Sequence, residues 1–149
     1  MESSFVSTDV TIVDCDENED FSAELEAALR ESLASELPQS ANSSINVAAR
    51  TSDGSLVAGL SASTSYDWLH ISLLWVQDDH RRRGLATALL THALARAAAM
   101  GCSACWLETS NPSARAFYEA DGFTEFTCLS NEGRRRPDSH RRWFLSKTF

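Results

Sequence analysis

At 149 residues, with 43% apolar and 23% charged residues, the chain has the composition of one ordinary globular domain and no length for a second catalytic module,. No apolar stretch approaches a membrane span and Met1-Glu2-Ser3-Ser4 is no secretory signal, so a cytoplasmic protein without a membrane partner is expected,. The net charge of −8 is uneven: residues 1–40 hold eleven acidic side chains against Arg30 alone, a net of −10, whereas residues 41–149 have a net of +2, a balance that opposes nucleic-acid binding,.

In chain order, Phe5 to Val13 alternates loosely and predicts a strand,. Residues 18–37 predict a helix: Phe21, Leu25, Leu29, Leu33 and Leu37 recur every four residues, acidic residues crowd the start, and Pro38 ends the run,. Residues 39–44 are polar and read as a loop. Residues 45–50 and 55–63 predict two strands joined by the turn signal Ser52-Asp53-Gly54,. Trp68 to Val76 predicts a central strand, apolar on both faces near its end,. Residues 84–100 predict a helix whose apolar face is Ala86, Leu90, Ala93, Leu94 and Ala97, with Gly101 at its C-cap,. Residues 102–109 predict a strand. Asn111-Pro112 then opens a short helix, as N-cap and first helical residue, which stops at Gly122,. Residues 123–129 and 143–147 predict the last two strands, completing the order β-α-β-β-β-α-β-α-β-β on one sheet.

The four cysteines are Cys15, Cys102, Cys105 and Cys128. Cys102 and Cys105 have the spacing of a metal or redox pair, but no second pair or nearby His completes a site, and in a strand residues three apart face opposite sides. Free thiols and no metal are expected. The basic stretch from Arg134-Arg135-Arg136-Pro137 to His140-Arg141-Arg142 reads as a solvated loop between the last two strands.

The segment Val76-Gln-Asp-Asp-His-Arg81-Arg82-Arg83-Gly84-Leu85-Ala86-Thr87 is the most informative. A buried strand ends, a polar turn follows, and a helix opens on a glycine. A helix N-terminus offers unpaired N–H groups and the positive end of its dipole, which makes an anion site. Gly84 and Ala86 let a phosphate approach the backbone, and three arginines add charge,. Other phosphate loops are excluded: the glycines at 54, 59, 84, 101, 122 and 133 form no GxGxxG, and Leu60 stands where a Walker lysine would be,.

Arg81-Arg82-Arg83-Gly84-Leu85-Ala86 matches the Gln/Arg-x-x-Gly-x-Gly/Ala signature of the GNAT superfamily of N-acetyltransferases, which the chain resembles. Leu74-Trp75-Val76 resembles the core strand that precedes that signature. Asn111-Pro-Ser-Ala114-Arg-Ala-Phe117-Tyr118-Glu-Ala-Asp-Gly122-Phe123 resembles the second hallmark. The resemblance is clear over residues 67–126, and the first forty residues fit the family's variable, substrate-shaping region in outline.

It implies a mixed α/β fold: a single GNAT-like domain over residues 1–149, with a central, mostly antiparallel sheet, a splayed parallel strand pair and flanking helices. It also implies acetyl transfer from acetyl-CoA to a primary amine by direct attack, with no protein nucleophile. The acceptor would be a small molecule, and the acidic first forty residues favour a cationic one,. The alternatives are a protein N-terminus or lysine as acceptor, or a CoA-binding regulatory domain without turnover. A homodimer is the assembly expected by analogy. The amides of 81–86 would hold the CoA pyrophosphate, and Leu74, Trp75, Val76, Arg81, Arg82, Arg83, Gly84, Leu85, Ala86, Thr87, Asn111 and Tyr118 would form the acetyl-CoA site. A backbone N–H near Trp75 or Val76 would polarise the thioester carbonyl. Tyr118 matches the family's general acid. The general base is open among His70, Glu108, Asp67 and water, because Ser72 stands where related sequences often carry an acid; His70 has the intrinsic pKa for the task.

Overall fold

The computed structural model describes residues 9–17 and 20–149, and the chain folds as two units, residues 1–39 and residues 40–149. In the first, α1 spans Phe21–Leu33. Its apolar stripe, Phe21, Leu25 and Leu29, is exposed, and an Arg30–Glu26 ion pair at 3.0 Å lies along it. The helix ends four residues short of the periodic pattern, in turns closed by the N–H groups of Glu36 and Leu37 on the Leu33 carbonyl. Leu37 precedes Pro38, which disfavours helical backbone there. The strand expected over 5–13 falls partly outside the described residues. Over 9–13 it is absent: Val10 makes one isolated bridge and residues 11–13 are irregular. Val10, Ile12 and Val13 are exposed, so no burial drives a ladder there,.

The second unit is built on a six-stranded sheet. Its strands are β1 (Ser43–Arg50), β2 (Leu56–Ser65), β3 (Trp68–Val76), β4 (Ala104–Thr109), β5 (Thr124–Ser130) and β6 (Arg141–Thr148), in the order β1-β2-β3-β4-β6-β5. All neighbours are antiparallel except β3 and β4. The helices α2 (Leu85–Ala99) and α3 (Pro112–Ala120) form the crossovers β3-α2-β4 and β4-α3-β5. Each boundary read from periodicity in this unit lies within two residues of the observed one. Strand ends shift most, because their last pairings depend on partners distant in sequence.

Both helices cover one face of the sheet. Ile45, Ala62 and Ile71 stand opposite one another across β1–β3, and Ile71, Leu107 and Leu145 continue the row across β4 and β6. These side chains meet Leu89, Leu90, Ala93 and Ala97 of α2 and Tyr118 of α3 in one core. Cys102 and Cys105 both join it as free thiols. They do not take opposite faces, because β4 begins only at Ala104 and Cys102 lies in the turn before it. Burial pushes the Cys105 thiol up to about 12, far from a reactive thiolate,. The other face is open: Trp68, Leu73, Trp75 and Phe126 are exposed on it.

A bulge divides β3. Ile71 pairs with Ala62 and Leu73 with Ser61, so Ser72 is the extra residue, and its hydroxyl donates to the Ser61 carbonyl at 3.0 Å,. Before it the odd residues Leu69 and Ile71 face the core; after it the even residues Leu74 and Val76 take that side. The parallel pairing of β3 with β4 runs only from Trp68–Ala104 to Ile71–Leu107. Beyond the bulge the two strands share no ladder.

Leu107 closes the last rung of that ladder and is 1% exposed. Leu107→Ala is expected to lower the unfolding free energy by about 2–5 kcal/mol through lost burial and the cavity left behind. Urea denaturation measures this, and a loss below roughly 1 kcal/mol would show that the rung collapses without cost.

Candidate functional site

Where β3 and β4 part, a cleft of about 600 Å³ opens between the end of β3, the start of α2 and the inner side of α3. Leu74, Trp75, Val76, Arg81, Arg82, Gly84, Leu85, Ala86, Thr87, Asn111 and Tyr118 line it, eleven of the residues singled out from sequence. Arg83 and His70 are not among its lining. His80, Ser113, Ala114 and Phe117 line it as well. For Ala114 and Phe117 the signal was available: with Tyr118 they fall at i, i+3 and i+4 on the α3 face that packs on the sheet. His80 carried no such signal.

The turn into α2 is shaped for close approach. A single 3-10 turn, Asp78–His80, is followed by Arg82 at φ +64° and Gly84 at φ +79°. Arg82 and Gly84 both take left-handed backbone, and a Cβ built on Gly84 would meet nothing within 4 Å. No side chain caps α2, and its first turn has no acid. The positive end of the helix dipole is therefore faced by no acid of its own first turn and no capping side chain among the described residues,. Arg81 is committed to the turn itself: its Nε donates to the Val76 carbonyl at 3.1 Å and its guanidinium pairs with Asp78 at 3.1 Å. That leaves Arg82 as the arginine that lines the cleft without an ion pair among the described residues.

The end of β3 supplies a free donor. The Gln77 N–H bonds the Val57 carbonyl at 2.8 Å, toward β2. Successive amides along a strand point to opposite edges, so the Val76 N–H points to the edge that β4 has left. The Arg81 bond to the Val76 carbonyl, which shares that edge, agrees with this direction. Val76, rather than Trp75, presents its amide to the gap.

The opposite wall is α3. Asn111 caps it, accepting from the Ser113 N–H at 2.9 Å and the Ala114 N–H at 3.4 Å, so its side chain is spent on the helix start although it borders the cleft,. Arg115 bonds Glu119 and Glu125 at 2.8 and 2.9 Å and lies 4.8 Å over the Trp143 ring, which ties the helix to β5 and β6. Tyr118, 6% exposed, is held edge-on between Phe117 and Phe123. Burial, then the neighbouring Cys105, pushes its phenol up to about 12. It stays protonated through the whole physiological range and can act as a proton donor.

His70 lies on the open face, stacked on Trp106 with ring centroids 3.9 Å apart, and its Nε2 is buried without a hydrogen-bond partner. Tyr118 and His70 are thus on opposite sides of the sheet. Glu108 is on the same side as His70, exposed, and Asp67 sits in the turn before β3 with its carbonyl bound by the Ser103 N–H. A second hollow of about 360 Å³ crosses that face, bordered by Arg50, Leu56, Leu73 and Trp75. Trp75 borders both hollows. The basic loop expected between the last two strands joins β5 to β6, folded on itself by a Gly133 N–H bond to Asp138 and an Arg141–Glu132 ion pair.

The acetyltransferase (GNAT) family matches residues 11–123. An acetyltransferase of Agrobacterium fabrum is 34% identical over 111 residues, 72% of this chain and 81% of that one. A blasticidin-S acetyltransferase of Streptomyces morookaense is 38% identical over 71 residues, 47% of this chain and 52% of that one. A crystal structure from Agrobacterium tumefaciens, of a protein assigned as an acetyltransferase, has a TM-score of 0.83 at 27% identity and covers 94% of this chain and 100% of its own.

The open space beside Gly84 is where a diphosphate would have to lie against the α2 amides. Gly84→Asp fills it with a carboxylate, in a backbone conformation that Asp tolerates. Acetyl-CoA affinity is expected to fall by at least about tenfold, ~1.4 kcal/mol, in a folded variant. Titration calorimetry measures it, and unchanged affinity would remove the diphosphate from residues 81–86.

Proposed function

Because the chain belongs to the acetyltransferase (GNAT) family and is therefore an acetyl-CoA-dependent acyltransferase, we propose that it acetylates the primary amine of a small cationic molecule by direct attack on the thioester. The observation that carries this reading is the convergence, in one cleft, of an uncapped helix start, a freed strand amide and a protonated tyrosine. The cleft fits the cosubstrate in the elements it offers: N–H groups at Leu85–Thr87 for a diphosphate, room beside Gly84, and an apolar passage along Leu74 and Val76 toward Tyr118. Bound there, acetyl-CoA supplies an activated acyl group and a thiol leaving group.

The residues then divide three tasks. The Val76 N–H, fixed by the strand and turned to the gap, donates to the carbonyl oxygen as negative charge gathers on it. Tyr118 gives its proton to the departing thiolate. Burial keeps the phenol neutral and protonated, so its hydroxyl would donate a hydrogen bond to the leaving sulfur as charge gathers there, and the proton would pass along that bond,. The amine approaches from the open face, which carries His70 and Glu108 although neither lines the cleft, and loses its proton to one of them or to water,. Similarity to a blasticidin-S acetyltransferase supports a small-molecule acceptor over a protein one.

Tyr118→Phe keeps the ring and its edge-on contacts with Phe117 and Phe123 and removes one proton donor. Turnover is expected to fall by roughly 10²-fold or more, with acetyl-CoA affinity changed far less, since the loss is in the transition state. Single-turnover thiol release measures it. A variant with wild-type turnover where chemistry limits the rate would pass the proton's delivery to water.

The net charge of −8, with −10 carried by residues 1–40, draws cations toward the molecule,. In an amine panel, cationic acceptors are expected to give the highest kcat/KM, and their apparent affinity to weaken as salt rises from ~0.01 to ~0.15 M. A preference for neutral or acidic amines, or salt-independent affinity, would count against the cationic class.

A further inference from the structure

The far end of α3 is held by a contact that the reading of Tyr118 does not use. Lys147, on β6, reaches across Gly122 and donates through Nζ to the Asp121 main-chain carbonyl at 2.7 Å and to its carboxylate at 3.1 Å. Both side chains are about three-quarters buried, at 27% and 24% exposure, so this pair is less screened than a surface bridge,. Gly122 takes φ +102°, which L side chains rarely adopt, and the Lys147 chain packs over it, 3.6 Å from where a Cβ would stand, an ordinary contact distance. The same turn carries the Phe123 N–H to the Tyr118 carbonyl at 3.0 Å and the Asp121 N–H to it at 3.1 Å. The Phe123 ring, 5.8 Å from Nζ, makes the edge contact with the Tyr118 ring.

We propose that Lys147 is a positioning residue for the reaction: by locking the Asp121–Phe123 turn to β6, it fixes the place of the Tyr118 hydroxyl at the end of the passage. The proposal rests on Tyr118 as general acid. A helix of nine residues is short, and its last carbonyls carry the negative end of its dipole,. An ammonium placed on that end neutralises it and prevents the last turn, which bears Tyr118, from fraying. Asn111 secures the start of α3 and Arg115, through Glu119 and Glu125, its middle, and neither bonds the Asp121–Phe123 turn that follows. Small errors in the position of a reacting group are costly: a displacement of ~1 Å can lower a rate by as much as ~10²-fold. The anchor therefore acts on turnover and leaves the diphosphate end of the cleft alone.

The test is a double-mutant cycle of Lys147→Met and Tyr118→Phe, with kcat, KM and acetyl-CoA affinity measured for all four proteins. Lys147→Met is expected to lower kcat about tenfold while acetyl-CoA affinity stays within about twofold, and Lys147→Arg to recover much of the loss. In the Tyr118→Phe background the same substitution is expected to cost less than about twofold, because no donor remains to be misplaced. An equal loss in both backgrounds, or a folded Lys147→Met protein with wild-type kcat, would overturn the positioning role alone. Wild-type turnover of Tyr118→Phe would overturn the general acid, and the positioning role with it. Should Lys147→Met not fold, Asp121→Asn replaces it in the cycle; it keeps the main-chain bond, and a loss of roughly threefold confined to the Tyr118 background is expected.

Discussion

Past Ile71 and Leu107 the two central parallel strands stop sharing hydrogen bonds, and the backbone groups so released must be met by something else. Buried amides and carbonyls are rarely left unpaired. Here the Val76 carbonyl is taken by Arg81, from the turn that β3 leads into, while the amide beside it is turned toward the cleft. The parting thus makes the opening, directs a donor into it and connects strand to turn. A fully zipped β3–β4 pair would bury the same side chains and leave no passage between them.

The two helices meet this opening in opposite ways. At α3 every local signal agrees: Asn111 caps, Pro112 begins, and Arg115 and Lys147 bind the helix to the sheet. At α2 the cap is missing, the first turn is free of acids, and two residues take left-handed backbone. The contrast has a physical sense. One helix holds a side chain in place and is stabilised at both ends; the other keeps its amide end unfilled, at some cost in stability, and so retains affinity for an anion. Its anchorage comes from Leu89, Leu90, Ala93 and Ala97 in the core.

Much of this was legible beforehand because periodicity and punctuation are local. Apolar spacing located β3, α2 and α3, and the glycine after three arginines marked the turn. Asn111-Pro112 set the register that turns Tyr118 inward. What could not be read depends on contacts between distant segments. The rung at which β3 and β4 part is a property of two strands and one helix together. The extra residue at Ser72 looks like any other polar residue in a strand. Because of it, His70 and the cleft-lining Leu74, both even-numbered, lie on opposite sides of the sheet. The alternation that joins Cys102 to the opposite face from Cys105 failed for a related reason: it assumes strand geometry at a residue that is still in a turn.

The bulge in β3 also acts as a phase shift. Along a regular strand the parity of a residue number decides its side of the sheet. In β3 that rule reverses midway, so the strand presents Leu69 and Ile71, then Leu74 and Val76, to the same side. Were all nine residues of β3 to run as one regular strand without the bulge, the parity would stay single, and Leu73 and Trp75 would take the places of Leu74 and Val76 along the passage without altering a single residue type there,. An indole would then stand where an isopropyl group now stands. The extra residue at Ser72, and not residue type alone, thus decides which side chains line the passage, and deleting Ser72 itself would keep Leu74 and Val76 there by removing bulge and residue together,.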